Sequence, residues 1–261
     1  LSTYLIAAAL LTLVPQRPAR EPADRLAHDV GEQVSGVLHE WREGIALIRA
    51  QPTLRLLFAV AVMTSLGEGI FGTLFAPYVR DVISGSAADY GGIMSTQAVG
   101  GVVAGFVVAA VGHRYTARGL FGWGLLVFGF LDLLLFVYPL AIDAVWPAFV
   151  LIALVGLPGA AAYAGRQTLM QTSTMDSHRG RVFGAFGAVI GMGVLTGVLT
   201  AGVLGDEVGI MPVLAWQGLM YMLAGGLVLA LMRQTRATLS HPGEEDADVA
   251  TAAGPASRPA D

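Results

Sequence analysis

LRLLFAVAVMTSLGEGIFGTLFAPY, Leu54–Tyr78, runs for 25 residues with two charged side chains, Arg55 near its start and Glu68 within it. At about 1.5 Å per residue such a stretch is long enough to cross a hydrocarbon core of roughly 30 Å as a helix. It lacks the alternation of a half-buried strand, and an open sheet edge has no hydrogen-bond partners in lipid. Five further apolar runs follow it: Tyr90–Val111, Leu120–Tyr138, Ala144–Leu169, Val182–Leu204 and Pro212–Met232. Each has the length of a spanning helix. The chain therefore reads as an all-α membrane protein whose body, 54–232, is a six-helix transmembrane bundle.

Composition agrees. Of 261 residues 55% are hydrophobic and 13% charged, and the mean hydropathy is +0.66, against about 25% charged residues in an average soluble domain. The formal net charge of −4 hides an uneven distribution. Arg17, Arg20, Arg25, Arg42, Arg49 and Arg55 lie before or at the start of the first span; Arg114 and Arg118 follow the second, Arg179 and Arg181 the fourth, Arg233 and Arg236 the sixth. The opposite loops hold Arg80 beside Asp81, together with Asp89, Asp143, Asp206 and Glu207. By the positive-inside rule the Arg-bearing side is cytoplasmic, so a multi-pass protein of a cell (plasma or inner) membrane is expected, with both ends of the six-helix block on the cytoplasmic side.

Outside the spans, Leu1–Val14 is apolar but short and reads as the end of a preceding, partial transmembrane helix, a signal peptide being the alternative. The segment 15–53 is polar and Arg-rich. Within it Leu26, Val30, Val34, Val37, Trp41, Ile45 and Ile48 recur at helical steps, as in an amphipathic helix on the membrane surface or packed on the protein itself. The tail 233–261, rich in Ala, Pro, Gly and acids, is expected to be disordered and cytoplasmic.

Several chemistries are excluded. With no cysteine there is no disulfide or thiolate chemistry, and the five histidines lack metal-ligand spacing. No phosphate loop, Gly-x-Ser-x-Gly elbow or other enzyme constellation occurs, so no catalytic, cofactor or metal residue is assigned. The arginine clusters are accounted for by orientation, which argues against nucleic acid as a partner. The partners implied are the lipid bilayer and a small-molecule substrate.

Ionisable side chains within a span cost at least about 2.5–3.5 kcal/mol and need a reason. Glu68, flanked by Gly67 and Gly69, lies roughly 21 Å along the first span from its cytoplasmic end. It reads as a proton carrier or, alternatively, as a structural polar contact. Arg166 is expected roughly 12 Å from the cytoplasmic end of the fourth span, either in a water-linked or state-dependent contact with Glu68 or snorkelling to the interface. Asp132, roughly 9 Å from the outer end of the third span, reads first as an acid reaching the outer interface. Gln97, Tyr163 and Gln167 either line a cavity or bond between helices. Pairs of small residues, Gly101 with Gly105, Gly187 with Gly191 and Gly193 with Gly197, are expected to pack helix on helix. Pro158, between Gly156 and Gly159, is expected to kink the fourth span.

Three stretches carry a family resemblance: REGIALIRAQPTLR (Arg42–Arg55), PYVRDVISGSAADYG (Pro77–Gly91) and SHRGRVFG (Ser177–Gly184). In order, they resemble the C-terminal half of a major facilitator superfamily transporter, in particular the drug and siderophore exporter branch similar to macrolide efflux proteins. The Arg-Gly-Arg loop is the most specific of them. The loop VGHRYTARGL (Val111–Leu120) is similar to a superfamily motif at Arg114 and Arg118, although His113 stands where that motif has an aspartate. The resemblance implies one half of a twelve-helix protein, with the N-terminal half as its missing partner and a central cavity lined by the first and fourth spans. It also implies alternating access driven by a proton gradient rather than a cofactor. Glu68, Arg166, Gln97 and Tyr163 are then the proton-coupling or cavity candidates, and Arg114, Arg118, Arg179 and Arg181 serve cytoplasmic gating or topology. The expected function is proton-coupled export of small amphipathic molecules; the alternative is a non-transporting protein, either a decayed half-transporter or a regulatory or anchoring subunit.

Overall fold

The computed structural model describes residues 51–175 and 178–232. The expected partial helix at 1–14, the amphipathic helix within 15–53 and the tail from 233 lie outside the described residues. Six long helices make up the rest: α1 (Pro52–Pro77), α2 (Ala87–Val111), α3 (Ala117–Val137), α4 (Trp146–Thr172), α5 (Arg179–Glu207) and α6 (Ile210–Leu231). All six are long and apolar enough to cross a membrane, and no strand occurs among the described residues.

The helices overrun the expected spans where polar residues can cap or continue them. α2 starts at Ala87 because Ser86 and Asp89 form a reciprocal capping box: the Ser86 hydroxyl accepts from Asp89 N–H, and the Asp89 carboxylate accepts from Ser86 N–H at 2.8 Å. Thr116 caps α3 by accepting from Gly119 N–H at 3.1 Å. α1 runs on through a π-helical turn, Tyr78–Val82. Pro52 and Pro147 sit in the first turns of α1 and α4, where a missing N–H costs nothing. Pro158 lies inside α4, which continues as one helix to Thr172; lacking an N–H, it leaves the Leu154 carbonyl without its usual donor.

In space the helices follow the order α2, α4, α3, α6, α1, α5, each packed on the next, while α1 and α4 meet only lightly and so do α5 and α6. α2 is the least covered, with Ile93 and Ala104 its only buried residues. Outward faces are apolar, including Phe106, Phe130, Leu154, Leu199 and Leu223, as lipid contact demands.

Close crossings are made by glycine, but mostly not by the pairs expected. Gly193 and Gly197 do pack tightly, against Ser65, Leu66 and Gly69 of α1. Gly101, Gly105, Gly187 and Gly191 instead face open space. Their four-residue spacing gives each pair a common side of its helix, yet spacing says nothing about whether a neighbour lies on that side. The true crossings pair glycines of different helices: Gly69 with Gly197 (α1 on α5), Gly100 with Gly156 (α2 on α4) and Gly129 with Gly218 (α3 on α6).

Apolar packing falls into two cores. One, toward the Arg-bearing helix ends, includes Leu57, Phe121, Met170, Val182 and Val228. The other, toward the opposite ends, includes Ile70, Phe75, Phe136, Ile152 and Leu214. Between them on α1, α3 and α6 lie Thr64, Ser65 and Glu68, Asp132, and Gln217.

Candidate functional site

Glu68 and Arg166 line one cavity. Its volume is about 340 Å³, and its walls come from α1 (Thr64, Ser65, Glu68), α3 (Phe121, Leu125, Phe128), α4 (Gly159, Ala162, Tyr163, Arg166), α5 (Ile190, Val194) and α6 (Tyr221). Five helices thus contribute, and most of the lining is apolar or aromatic, with two charges of opposite sign.

Local sequence explains how Glu68 comes to stand there. Gly67 and Gly69 are buried on either side of it. A Cβ on Gly69 would meet the Val194 carbonyl and, at 2.9 Å, Val198 N, so α1 and α5 touch backbone to backbone at that level. Gly67 sits against α6, where a Cβ would fall 2.8 Å from Tyr221 Cε2 and 3.0 Å from Gln217 Cγ. The intervening residue is turned away from both contacts, and Glu68 is exposed.

Tyr221 reaches it from α6. Its hydroxyl lies 3.0 Å from the Thr64 carbonyl and 3.4 Å from Glu68 Oε2. A phenol has a single proton to donate. Directed at Thr64 across the shorter distance, it leaves the hydroxyl oxygen as an acceptor for a proton carried by Glu68. Directed at Glu68, it serves an ionised carboxylate. One side chain can therefore accompany both protonation states.

The Arg166 guanidinium carbon lies 5.2 Å from the Tyr163 ring centroid and 5.6 Å from that of Phe186, a cation–π setting that holds it partly desolvated. Its Nε is buried without a hydrogen-bond partner. Glu68 is within electrostatic range, but the two make no direct ion pair.

Gln97 is not in this cavity. It lines a neighbouring groove of about 600 Å³ between α2 and α4, together with Gly101, Gly105 and Tyr163. Tyr163 and Phe128 form the wall common to both spaces.

Of the four loop arginines, Arg118 donates from Nη2 to the Leu229 carbonyl, tying the start of α3 to the last turn of α6. Arg114 is exposed on the turn Gly112–Arg114, and Arg179 and Arg181 are exposed in the first turn of α5.

Asp132 departs from its sequence-based expectation. It does not reach an interface: it is 2% exposed between α3 and α6, where Gln217 Nε2 donates to its Oδ2 at 3.2 Å. Distance along α3 says nothing about which face of the helix carries it, and that face points into the α6 contact. Gln217 and Tyr221, one helical turn apart on α6, were absent from the candidates. The available signal was the run Gln217-Gly218 on one helix and Gly129-x-x-Asp132 on the other, each placing a polar side chain beside a glycine able to form a close crossing.

The family model of the Major Facilitator Superfamily matches residues 57–257. The chain belongs to the major facilitator superfamily. That superfamily consists of membrane transporters, not enzymes, and the six apolar helices are the corresponding bundle. Comparison with curated proteins gives no match.

Proposed function

We propose that the protein is a proton-coupled exporter of small amphipathic molecules, of the drug or siderophore class, in which Glu68 exchanges a proton for substrate during alternating access. The observation that carries this reading is the cavity itself: an exposed carboxyl in a mostly apolar and aromatic recess that also holds Arg166, with a Tyr221 hydroxyl placed to accompany either protonation state. Arg166 adds a cation that makes no ion pair among the described residues and is available to Glu68 or to a polar group of the substrate at different stages of the cycle. The proton gradient is the energy source, and no cofactor is needed. Export, rather than uptake, follows from the exporter branch that the sequence resembles. A second six-helix half, in a cell membrane with both ends of the block cytoplasmic, would complete the enclosure.

The test is Glu68→Gln in the complete protein, reconstituted in proteoliposomes under an imposed pH gradient. Gln keeps the shape and cannot cycle a proton, so gradient-driven substrate accumulation and substrate-induced proton flux should both fall to the level of empty vesicles. Wild-type flux without substrate dependence would favour the non-transporting alternative, and normal transport by the Gln variant would remove Glu68 from its role.

A further inference from the structure

Asp132 and Gln217 form a buried polar pair that the cavity does not use. Both are 2% exposed. Their seclusion follows from the α3–α6 crossing: a Cβ on Gly129 would fall 2.5 Å from the Gly218 carbonyl oxygen, so the two backbones are already in contact. Asp132 stands three residues from Gly129 and Gln217 next to Gly218, so the crossing buries both side chains.

The hydrogen bonds are incomplete as drawn for an ionised carboxylate. Gln217 Nε2 donates to Asp132 Oδ2, while Gln217 Oε1 is buried with no partner. A carboxylate has acceptors only and cannot serve that oxygen. No cation is paired with Asp132 among the described residues. The titratable and charged groups facing this region are Glu68 from α1, Tyr221 from α6 and Arg166 from α4. Arg166 is turned into the cavity against Tyr163 and Phe186, and Glu68 has the same sign as an ionised Asp132. An ionised Asp132 would leave both an uncompensated buried charge and an orphaned acceptor.

One proton removes both faults. A carboxylic acid and a carboxamide each present a carbonyl acceptor and a donor in one plane, so the acid O–H serves the amide oxygen while the amide N–H serves the acid carbonyl. We propose that Asp132 is a second proton-binding site of the bundle, held as a neutral acid by a two-bond pairing with Gln217. Without that proton the bond to Gln217 Oε1 cannot form, and Gln217 must take up another arrangement. Gln217 lies against Gly67, the residue before Glu68, so that rearrangement bears on the helix that presents the cavity carboxyl. The protonated pair stands independently of the transport reading; only its link to Glu68 rests on that reading.

Infrared difference spectroscopy of the complete protein in lipid, in H₂O and D₂O at neutral pH, reads the proton directly. A protonated-carboxyl carbonyl band that shifts on deuteration should be present in wild type and in Glu68→Gln, and lost in Asp132→Asn. The unfolding midpoint of Asp132→Asn should match wild type, because Asn can donate to Gln217 Oε1 and accept from Gln217 Nε2 as the neutral acid does. Survival of the band in Asp132→Asn, a carboxylate band assignable to Asp132 at neutral pH, or failure of Asp132→Asn to fold would each overturn the proposal. Normal proton-driven transport by Glu68→Gln, with the Asp132 band intact, would overturn the role of Glu68 alone.

Discussion

Gly129→Ala is the substitution through which the packing argument can be examined most directly. The new Cβ would stand 2.5 Å from the Gly218 carbonyl oxygen, 2.6 Å from Met222 N and 2.8 Å from Tyr221 Cβ. Two of these are backbone atoms of a continuous helix and cannot turn aside as a side chain does. Ordinary contact begins near 3.4 Å, so α3 and α6 must separate locally by about 0.9 Å. That displacement carries the Asp132–Gln217 bond from 3.2 Å beyond hydrogen-bonding reach. Overpacking costs about 1–3 kcal/mol and the lost bond a further ~0.5–1.5 kcal/mol, giving a deficit of about 1.5–4.5 kcal/mol. Gly101→Ala is the control, since nothing lies within 4 Å of the added carbon. It should be neutral or slightly stabilising. Unfolding of the purified protein in mixed micelles, followed by circular dichroism across a denaturing-detergent series, measures both. If the two variants unfold together, the backbone contact between α3 and α6 is not what holds that seam, and the reasoning fails.

Two other substitutions probe single features. Tyr221→Phe keeps the ring packed on Phe128, 4.9 Å between centroids, and removes only the hydroxyl shared by Thr64 and Glu68; it should cost about 0.5–1.5 kcal/mol in the same unfolding assay, and a much larger loss would mean that the ring rather than the hydroxyl is affected. Gly209 joins α5 to α6 at φ 99° and ψ 157° with only Pro212 Cδ nearby, at 3.8 Å, so Gly209→Ala meets no clash and should lose roughly 1–3 kcal/mol from backbone strain alone. An unchanged unfolding midpoint would show that the connection adopts another conformation without cost.

The six helices were legible because lipid leaves the backbone few alternatives, and a run such as Leu54–Tyr78 has no other stable form there. Distance along each helix was legible too, since it needs only the rise per residue. Azimuth was not. Nothing in the spacing of Gly101 and Gly105 says that their side faces open space, and nothing along α3 says that Asp132 points at α6 rather than outward. The same limit explains why Gln97 was grouped with Glu68 and Arg166 although it lines the adjoining groove. Which helix faces which is decided by crossings between residues far apart in the chain, as with Gly129 and Gly218, and a glycine beside a polar residue marks a close approach without naming the helix it meets.

Those crossings also have a mechanical consequence. Where two backbones meet through glycine there are no side chains to change rotamer and absorb a displacement, so a push on one helix is delivered undamped to its mate. α5 and α1 form one such stiff couple at Gly197 and Gly69, and α2 and α4 another at Gly156 and Gly100. α1 and α4 themselves meet only lightly. α3 and α6 form a third couple at Gly129 and Gly218, so Glu68 on α1 and Arg166 on α4 belong to different couples.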